Sequence, residues 1–182
     1  VKKGIGFLMV SFLKLTPDMI KHKGVFFIIL GSIGSGKSTL VSQIPKSIYI
    51  YHPEDDGVIE LAARKLIPET TRIWPTPFVN TDTLYKQMDE ATQACLDLKL
   101  HTVIVEGLTG IMTCWTNTAI MTHYDGKQAL FDAFGAGIKT LRDKEMFLPR
   151  LMKTVGKTRK AGVNLVFTGH TEDKSTTDSK TG

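Results

Sequence analysis

One short stretch, Gly31 to Ser38, constrains this chain more than any other. It has the sequence GSIGSGKS, which fits the pattern G-x-x-x-x-G-K-S/T at every fixed position. The preceding run, Gly24 to Leu30, is apolar on both faces and is typical of a strand buried in a parallel sheet. The following run, Ser38 to Ile44, predicts a helix that Pro45 closes. A glycine-rich turn between such elements lets backbone N–H groups approach an anion, so we expect a phosphate-binding loop.

The polar residues of this loop have separate expected roles. Lys37 would reach the β- and γ-phosphates of a nucleotide, Ser38 would ligate Mg²⁺, and Thr39 would donate to the α-phosphate. The candidate nucleotide-binding residues are Gly31, Ser32, Ile33, Gly34, Ser35, Gly36, Lys37, Ser38 and Thr39. A turn that only packs the helix on the strand would leave Lys37 without a partner, so nucleotide binding is the favoured interpretation.

Composition narrows the class of protein. The chain has 182 residues, enough for one domain with a real core, and its net charge of +5 is compatible with an anionic partner. Two isolated cysteines, Cys95 and Cys114, favour reduced thiols over a disulfide framework. No apolar run approaches the roughly 20 residues of a membrane span. The N-terminal VKKGIGFLMVSFLK lacks a signal-peptide cleavage site, so we expect no export and no membrane, and a cytoplasmic location.

Strand and helix patterns alternate along the rest of the chain. The further predicted strands are Ser47–Tyr51, the run HTVIVEG, Val163–Thr168 and a short edge strand in RIWPTPFVN. The predicted helices are Val58–Leu66, Thr81–Leu98 capped by Asp82 or Thr83, one carrying Leu130, Phe134, Ile138 and Leu141, and one carrying Leu148, Leu151 and Val155. This alternation predicts βαβ crossovers and a mostly parallel sheet covered on both faces, a three-layer α/β/α fold.

Polar residues follow the predicted strands where each one ends. They are the glycine loop, then Glu54, Asp55 and Asp56, then Glu106, and finally His170. Because the carboxyl ends of parallel strands share one edge of a sheet, we expect these groups to lie close together. Glu54, or Asp55 next, would activate the attacking water, while Glu106 would hold a magnesium-bound water or act as the base itself. His170 would sense the γ-phosphate; each of these groups could also be a plain solvated strand end.

In this order, the features resemble those of the RecA-like branch of P-loop ATPases. More narrowly, the chain is similar to phage-encoded nucleotide-binding proteins of that branch, some of which act in single-strand annealing or recombination. The matching stretches, between residues 25 and 170, are ILGSIGSGKSTL, SIYIYHPEDD, HTVIVEGLTGI and GVNLVFTGH.

The resemblance implies a RecA-like P-loop fold and Mg²⁺-dependent ATP hydrolysis. It implies single-stranded DNA as a partner, assembly of copies into a ring or filament, and residence in a host cytoplasm if the chain is phage-encoded. It assigns catalysis to Lys37, Glu54 and Glu106, metal binding to Ser38 and Glu106, and γ-phosphate sensing to His170.

The chain departs from the family's pattern in two places. Glu106 stands where aspartate is usual, and the chain stops soon after His170, where members continue with a DNA-contacting loop and another strand. We therefore expect C-terminal truncation. The expected organisation is an N-terminal extension at 1–23, an ATPase domain at 24–170 and a polar tail at 171–182, which would begin the DNA-contacting loop.

A stretch rich in basic residues is relevant to the question of which partner the chain binds. Its cations are Lys139, Arg142, Lys144, Arg150, Lys153, Lys157, Arg159 and Lys160. They could contact the backbone of single-stranded DNA, supply an arginine finger to a neighbouring subunit, or form the solvated face of two helices. Trp74, Phe78 and Trp115 could stack on bases or be buried.

Two other functions stay open at this point. A small-molecule or nucleotide kinase would carry the same loop, with Glu54 binding an acceptor hydroxyl and an arginine-rich lid between Arg142 and Arg159. A nucleotide-gated DNA-binding or assembly module with little hydrolysis would fit the Glu106 substitution.

Overall fold

The computed structural model describes residues 23–51, 57–75 and 80–171. These residues form an α/β fold. Its strands are β1 (Phe26–Gly31), β2 (Ser47–Tyr51), β3 (Arg72–Pro75), β4 (Thr102–Val105) and β5 (Asn164–His170). Its helices are α1 (Lys37–Ser42), α2 (Gly57–Ala63), α3 (Thr81–Asp97), α4 (Leu108–His123), α5 (Gln128–Asp132), α6 (Ala136–Asp143) and α7 (Phe147–Lys160), with a 3-10 turn at Ala133–Gly135.

Several predictions fall outside the described residues. They are those for the extension before Lys23, the tail after Thr171, and the individual residues Glu54, Asp55, Asp56 and Phe78. Among the described residues, no helix is both long enough and apolar enough to cross a bilayer.

The five strands form one sheet in the order β1-β5-β4-β2-β3, and every neighbouring pair is parallel. The prediction of a parallel sheet is confirmed, as is the short edge strand, which is β3. The order places β5 between β1 and β4, so the carboxyl ends of these three strands are adjacent.

Alternation along the strands divides the buried side chains between two faces of the sheet. Ile48 and Ile50 of β2 belong to a large cluster that includes residues of α3, α4 and α7, such as Leu84, Trp115 and Leu151. The alternate residues of the strands belong to a small cluster with residues of α1 and α2. The members of this small cluster are Val41, Tyr49, Tyr51, Val58, Ile104 and Val166. Helices therefore cover both faces, which is compatible with a three-layer α/β/α arrangement.

β1 corrects one prediction. Its apolar run predicted a strand buried on both sides, but β1 lies at the edge of the described sheet, paired with β5 alone. Phe27, Ile28 and Leu30 are 55%, 45% and 56% exposed. The reason is topological: hydrophobicity indicates how a strand could be covered, while the crossover order decides which strand stands at the edge.

The stretch from Leu130 to Leu141 corrects a second prediction. We expected one helix with its apolar face inward, but α5 ends at Asp132 and α6 begins only at Ala136, because Phe134 adopts a left-handed backbone with φ 49°. Leu130, Phe134 and Ile138 consequently face solvent. The buried residue is Phe131, whose ring fits against Gly137, where a Cβ would come within 2.4 Å of the ring.

The start of α3 corrects a third. Asn80 is the N-cap, rather than Asp82 or Thr83, and its Oδ1 accepts from the backbone N–H of Thr83 at 2.9 Å. Asparagine at this position satisfies a donor that the helix itself leaves free.

Candidate active site

The loop between β1 and α1 has the backbone that its glycines predict. Gly34 and Gly36 adopt left-handed conformations with φ of 75° and 82°. At either glycine, no heavy atom of the described residues, apart from chain neighbours, lies within 4 Å of the position that a Cβ would take. Backbone conformation, rather than crowding, therefore requires glycine here, and the space in front of the loop is open to a ligand.

Lys37 is the most constrained residue of the loop. Its side chain is only 8% exposed, and its ammonium group donates to the carbonyl oxygens of Gly31 at 3.0 Å and Ser32 at 2.7 Å. Ser35 Oγ lies 3.4 Å from Nζ and His170 Nδ1 lies 3.2 Å away. An ammonium group only donates, so His170 accepts through Nδ1 and carries its proton on Nε2. All four partners are uncharged, so among the described residues only neutral groups contact this buried cation.

Glu106 is the second buried charge of the site. It follows β4, is 8% exposed, and its backbone N–H donates to the carbonyl of Ile50 at 2.8 Å. Its two carboxylate oxygens have different partners: Oε1 accepts from the hydroxyl of Ser38, and Oε2 accepts from the hydroxyl of Tyr49 at 2.7 Å. The carboxylate thus links the first residues of α1 to the middle of β2.

Hydrogen bonds from backbone N–H groups join the ends of the three adjacent strands. The N–H of Thr171 donates to the carbonyl of Gly31 at 3.1 Å, and the N–H of Gly107 donates to Thr168 Oγ1 at 3.3 Å. His170 at the end of β5 is exposed beside the loop. The structure therefore brings together four predicted site residues: Lys37, Ser38, Glu106 and His170.

A cavity of about 240 Å³ opens in front of these groups. Five loop residues and His170 line it on one side, and α2 lines it on the other. The lining residues are Gly34, Gly36, Lys37, Ser38, Thr39, Gly57, Glu60, Leu61 and His170. Ile33, also predicted as part of the loop, directs its side chain to solvent.

Two residues near the site were missed by sequence reasoning. Tyr49 lies in the middle of a strand, and Glu60 lies within α2, where its carboxylate pairs with Arg64. Glu60 follows the helical i,i+4 spacing to Arg64, which indicates an ordinary surface pair. Nothing in the sequence pattern distinguishes Tyr49 from the other apolar positions of β2.

The oxygen donors suit the predicted metal. Ser38 and Glu106 offer one hydroxyl and one carboxylate in direct contact, which are the hard ligands that Mg²⁺ prefers, and Mg²⁺ takes its other ligands from water and phosphates. Within the described ranges, no group of three or more His, Cys, Asp or Glu residues could hold a metal by itself. The residues fit a metal that arrives with a nucleotide better than a metal held by protein alone.

Four of the eight cations in the basic stretch have partners within the protein. Arg150 pairs with Asp82 at 3.0 Å and lies over the ring of Tyr85, and Lys157 pairs with Asp89 at 3.0 Å. Both acids lie on α3, so these pairs tie α7 to α3. For these cations the structure favours the helix-face interpretation over a free phosphate-binding patch.

Two further basic residues are also engaged. Arg142 pairs with Asp143 at 2.6 Å, and Arg159 donates to the carbonyl of Gly24 at 2.8 Å. Trp115 is fully buried against Phe147, so it is a core residue and its ring is closed to a nucleotide base.

Comparison with known proteins gives no match: no family model fits the chain, and no curated protein is significantly similar to it.

Proposed function

We propose that this chain binds ATP with Mg²⁺ at the Gly31–Thr39 loop and hydrolyses it, as a RecA-like P-loop ATPase acting on single-stranded DNA. The observation that carries the proposal is the buried ammonium group of Lys37, which lines the cavity and has only neutral partners within the part of the chain that the structure describes. Burying a cation without a counter-charge is unfavourable, and such a site gains most from an anion that completes it.

A polyphosphate supplies that missing charge. The carbonyl partners of Lys37 lie on the loop itself, at Gly31 and Ser32, and the ammonium group could exchange them for a phosphate oxygen in the cavity that Lys37 lines. The left-handed Gly34 and Gly36 border the same cavity without a side chain in the way. Charge-assisted hydrogen bonds to phosphate would replace neutral ones, and these are about twice as strong.

The contact between Ser38 and Glu106 supports the metal assignment. When bound, Mg²⁺ would withdraw charge from the phosphates of the nucleotide. Ser38 would turn its hydroxyl oxygen to the ion, and the released Oε1 of Glu106 would accept a hydrogen bond from water at the ion. Because Oε2 keeps the Tyr49 hydroxyl and Oε1 would accept from water at the ion, its role as a general base is disfavoured.

Activation of the attacking water is proposed for Glu54, with Asp55 as the next candidate. β2 neighbours β4 in the sheet, so the chain leaves Tyr51 at the same edge from which Glu106 emerges. A carboxylate there would accept the proton of the attacking water. His170, already 3.2 Å from Lys37, would donate a hydrogen bond to the γ-phosphate and report its presence to the chain that follows.

The wider context of the proposal rests on the resemblance of the sequence. Single-stranded DNA as a partner, assembly into a ring or filament, and a cytoplasmic location in the host are proposed on that ground. The buried free thiols of Cys95 and Cys114 agree with a reducing compartment. The pairing of Arg142, Arg150 and Arg159 argues against an arginine-rich kinase lid.

The deciding experiment measures ATP binding and phosphate release, with and without single-stranded DNA, for the wild type and Lys37→Ala. We expect Mg²⁺-dependent turnover that DNA raises, and loss of both binding and turnover in the variant. Lys86→Ala is the matched control, since Lys86 is an exposed lysine on α3.

Other outcomes separate the alternatives. Unchanged ATP binding and turnover in Lys37→Ala would contradict the proposal. Phosphate transfer to an acceptor hydroxyl without release to water would favour the kinase. Tight ATP binding without phosphate release, together with annealing of complementary strands, would favour the nucleotide-gated module.

A further inference from the structure

Tyr49 is a buried polar group of the site that no sequence motif indicates. Its ring is 0% exposed and belongs to the small cluster, together with Val41 of α1 and Ile104 of β4. Its hydroxyl donates to Glu106 Oε2 at 2.7 Å. Because packing on both sides fixes the rotamer of a buried ring, the position of this hydroxyl is set by the core.

The carboxylate of Glu106 has more freedom than the aspartate that is usual at this position. Its side chain has one more rotatable bond, so its oxygens could point in more directions at the end of β4. Tyr49 removes that freedom at one oxygen and leaves the other, Oε1, to Ser38. The buried tyrosine thus fixes the orientation of the Glu106 carboxylate, which the longer side chain of glutamate does not fix by itself.

We propose that Tyr49 is a positioning residue of the nucleotide site, which holds Glu106 so that Oε1 alone faces Ser38 and the Mg²⁺ that accompanies the nucleotide. This inference rests on the proposed function. Groups that orient a metal-supporting carboxylate contribute about 10- to 100-fold to metal affinity or activity. The contribution of Tyr49 therefore falls in the part of nucleotide binding that depends on Mg²⁺.

A purely structural role would give a different result. If the carboxylate only satisfies the buried hydroxyl, removal of the hydroxyl would change the melting temperature and leave the dependence on Mg²⁺ as it is. The distinction is therefore measurable without relying on turnover.

The experiment compares the wild type with Tyr49→Phe by titrating Mg²⁺ at a fixed concentration of a non-hydrolysable ATP analogue, with bound nucleotide as the readout. We expect the Mg²⁺ midpoint to rise about tenfold in the variant. Affinity for the analogue in EDTA should change by less than about twofold, because Lys37 and the loop are untouched.

Two control variants exclude trivial causes. Tyr85→Phe removes a buried tyrosine hydroxyl on the opposite face of the sheet, and Ile104→Val loosens the small cluster while keeping the Tyr49 hydroxyl. Both should keep the wild-type Mg²⁺ midpoint. An equal shift in Ile104→Val would assign the effect to loose packing and overturn the inference.

A double-mutant cycle tests whether Tyr49 acts through Glu106. In a Glu106→Ala background, Tyr49→Phe should cause no further change in the Mg²⁺ midpoint. Additive effects would overturn the inference, as would an unchanged midpoint in the single variant. Failure of the wild type to bind the analogue at all would instead contradict the proposed function.

Discussion

The two faces of the sheet use their buried side chains differently. The face covered by α3, α4 and α7 has an extensive apolar core centred on residues such as Trp115 and Phe167. The face covered by α1 and α2 has a small cluster that includes Tyr49 and Tyr51. The candidate active site adjoins this cluster at the carboxyl ends of the strands. Stability should therefore depend mostly on the first face and nucleotide binding on the second, so variants can separate the two properties.

The largest expected effect is on the extensive core. Trp115→Ala removes a fully buried indole and should lower the free energy of unfolding by about 3–5 kcal/mol, because it leaves a cavity. Urea unfolding measures this, and ATP affinity of the folded fraction should change by less than about twofold. Met121→Ala, on the exposed side of α4, should change stability by less than about 0.5 kcal/mol. A large loss of ATP affinity in the folded fraction of Trp115→Ala would contradict the expectation that nucleotide binding depends on the other face of the sheet.

The next effect is on the site. Lys37→Met should weaken ATP binding roughly 100-fold, since two or more charge-assisted hydrogen bonds to phosphate are lost. Without nucleotide its free energy of unfolding should equal or exceed that of the wild type, because a buried cation with neutral partners is replaced by an apolar group. Isothermal titration and urea unfolding measure the two quantities. A variant that is much less stable without nucleotide would show that Lys37 is structural.

The pH dependence of stability tests whether the extensive core protects its two buried thiols from ionisation. Burial raises the pKa of the Cys95 and Cys114 thiols to about 11, from a reference value of 9.0. The unfolded thiols ionise first as pH rises, so stability should be complete below about pH 9 and fall between pH 9 and 11, by up to about 2 kcal/mol per thiol.

Comparison with a Cys95→Ala, Cys114→Ala variant isolates this contribution. Burial also raises the pKa of Tyr85 to about 12, which acts in the same direction, but Tyr85 is common to both proteins. Urea unfolding from pH 8 to 11 should therefore show a shallower decline in the variant. Parallel declines would mean that the thiols are not protected from ionisation.

The smallest effect contrasts two glycines. Gly36→Ala places a side chain at φ 82° and should cost about 1 kcal/mol of stability while weakening ATP binding. Gly156→Ala lies in α7 with open space around the new Cβ and should stabilise by about 0.5–1 kcal/mol without altering ATP binding. Thermal unfolding in the presence and absence of ATP measures both. The same sign of change in both variants would refute the assigned role of the loop backbone.

The site was predicted best for the polar residues that follow apolar strands of the parallel sheet. Polar residues that end apolar strands must meet at one edge of a parallel sheet, which is why Lys37, Glu106 and His170 could be placed together. The assignment of Glu54 stays a prediction, because it lies outside the described residues. Tyr49 was missed because its hydroxyl is a single atom on a side chain that otherwise follows the apolar pattern of β2.

The fold was predicted less well in two respects: which strand is left exposed at the edge of the sheet, and where a helix is interrupted. The exposure of β1 depends on the order of strands, which the run Gly24–Leu30 does not contain. The break at Phe134 is a single left-handed residue, and it is accompanied by the fit of Phe131 to Gly137; helical spacing alone reveals neither. α4 had no clear helical pattern because its apolar residues are not confined to one face: Trp115 is buried, whereas Met112 and Met121 are exposed.

The fit between Phe131 and Gly137 has a consequence for how this sequence can change over time. A side chain at 137 would overlap the aromatic ring unless the ring shifts, so we expect a mutation there to be tolerated best when position 131 has become smaller. The two positions should therefore change together among relatives of this chain. We also expect the substitution at 131 to come first, since a smaller residue there leaves a cavity, whereas a larger residue at 137 alone displaces the ring.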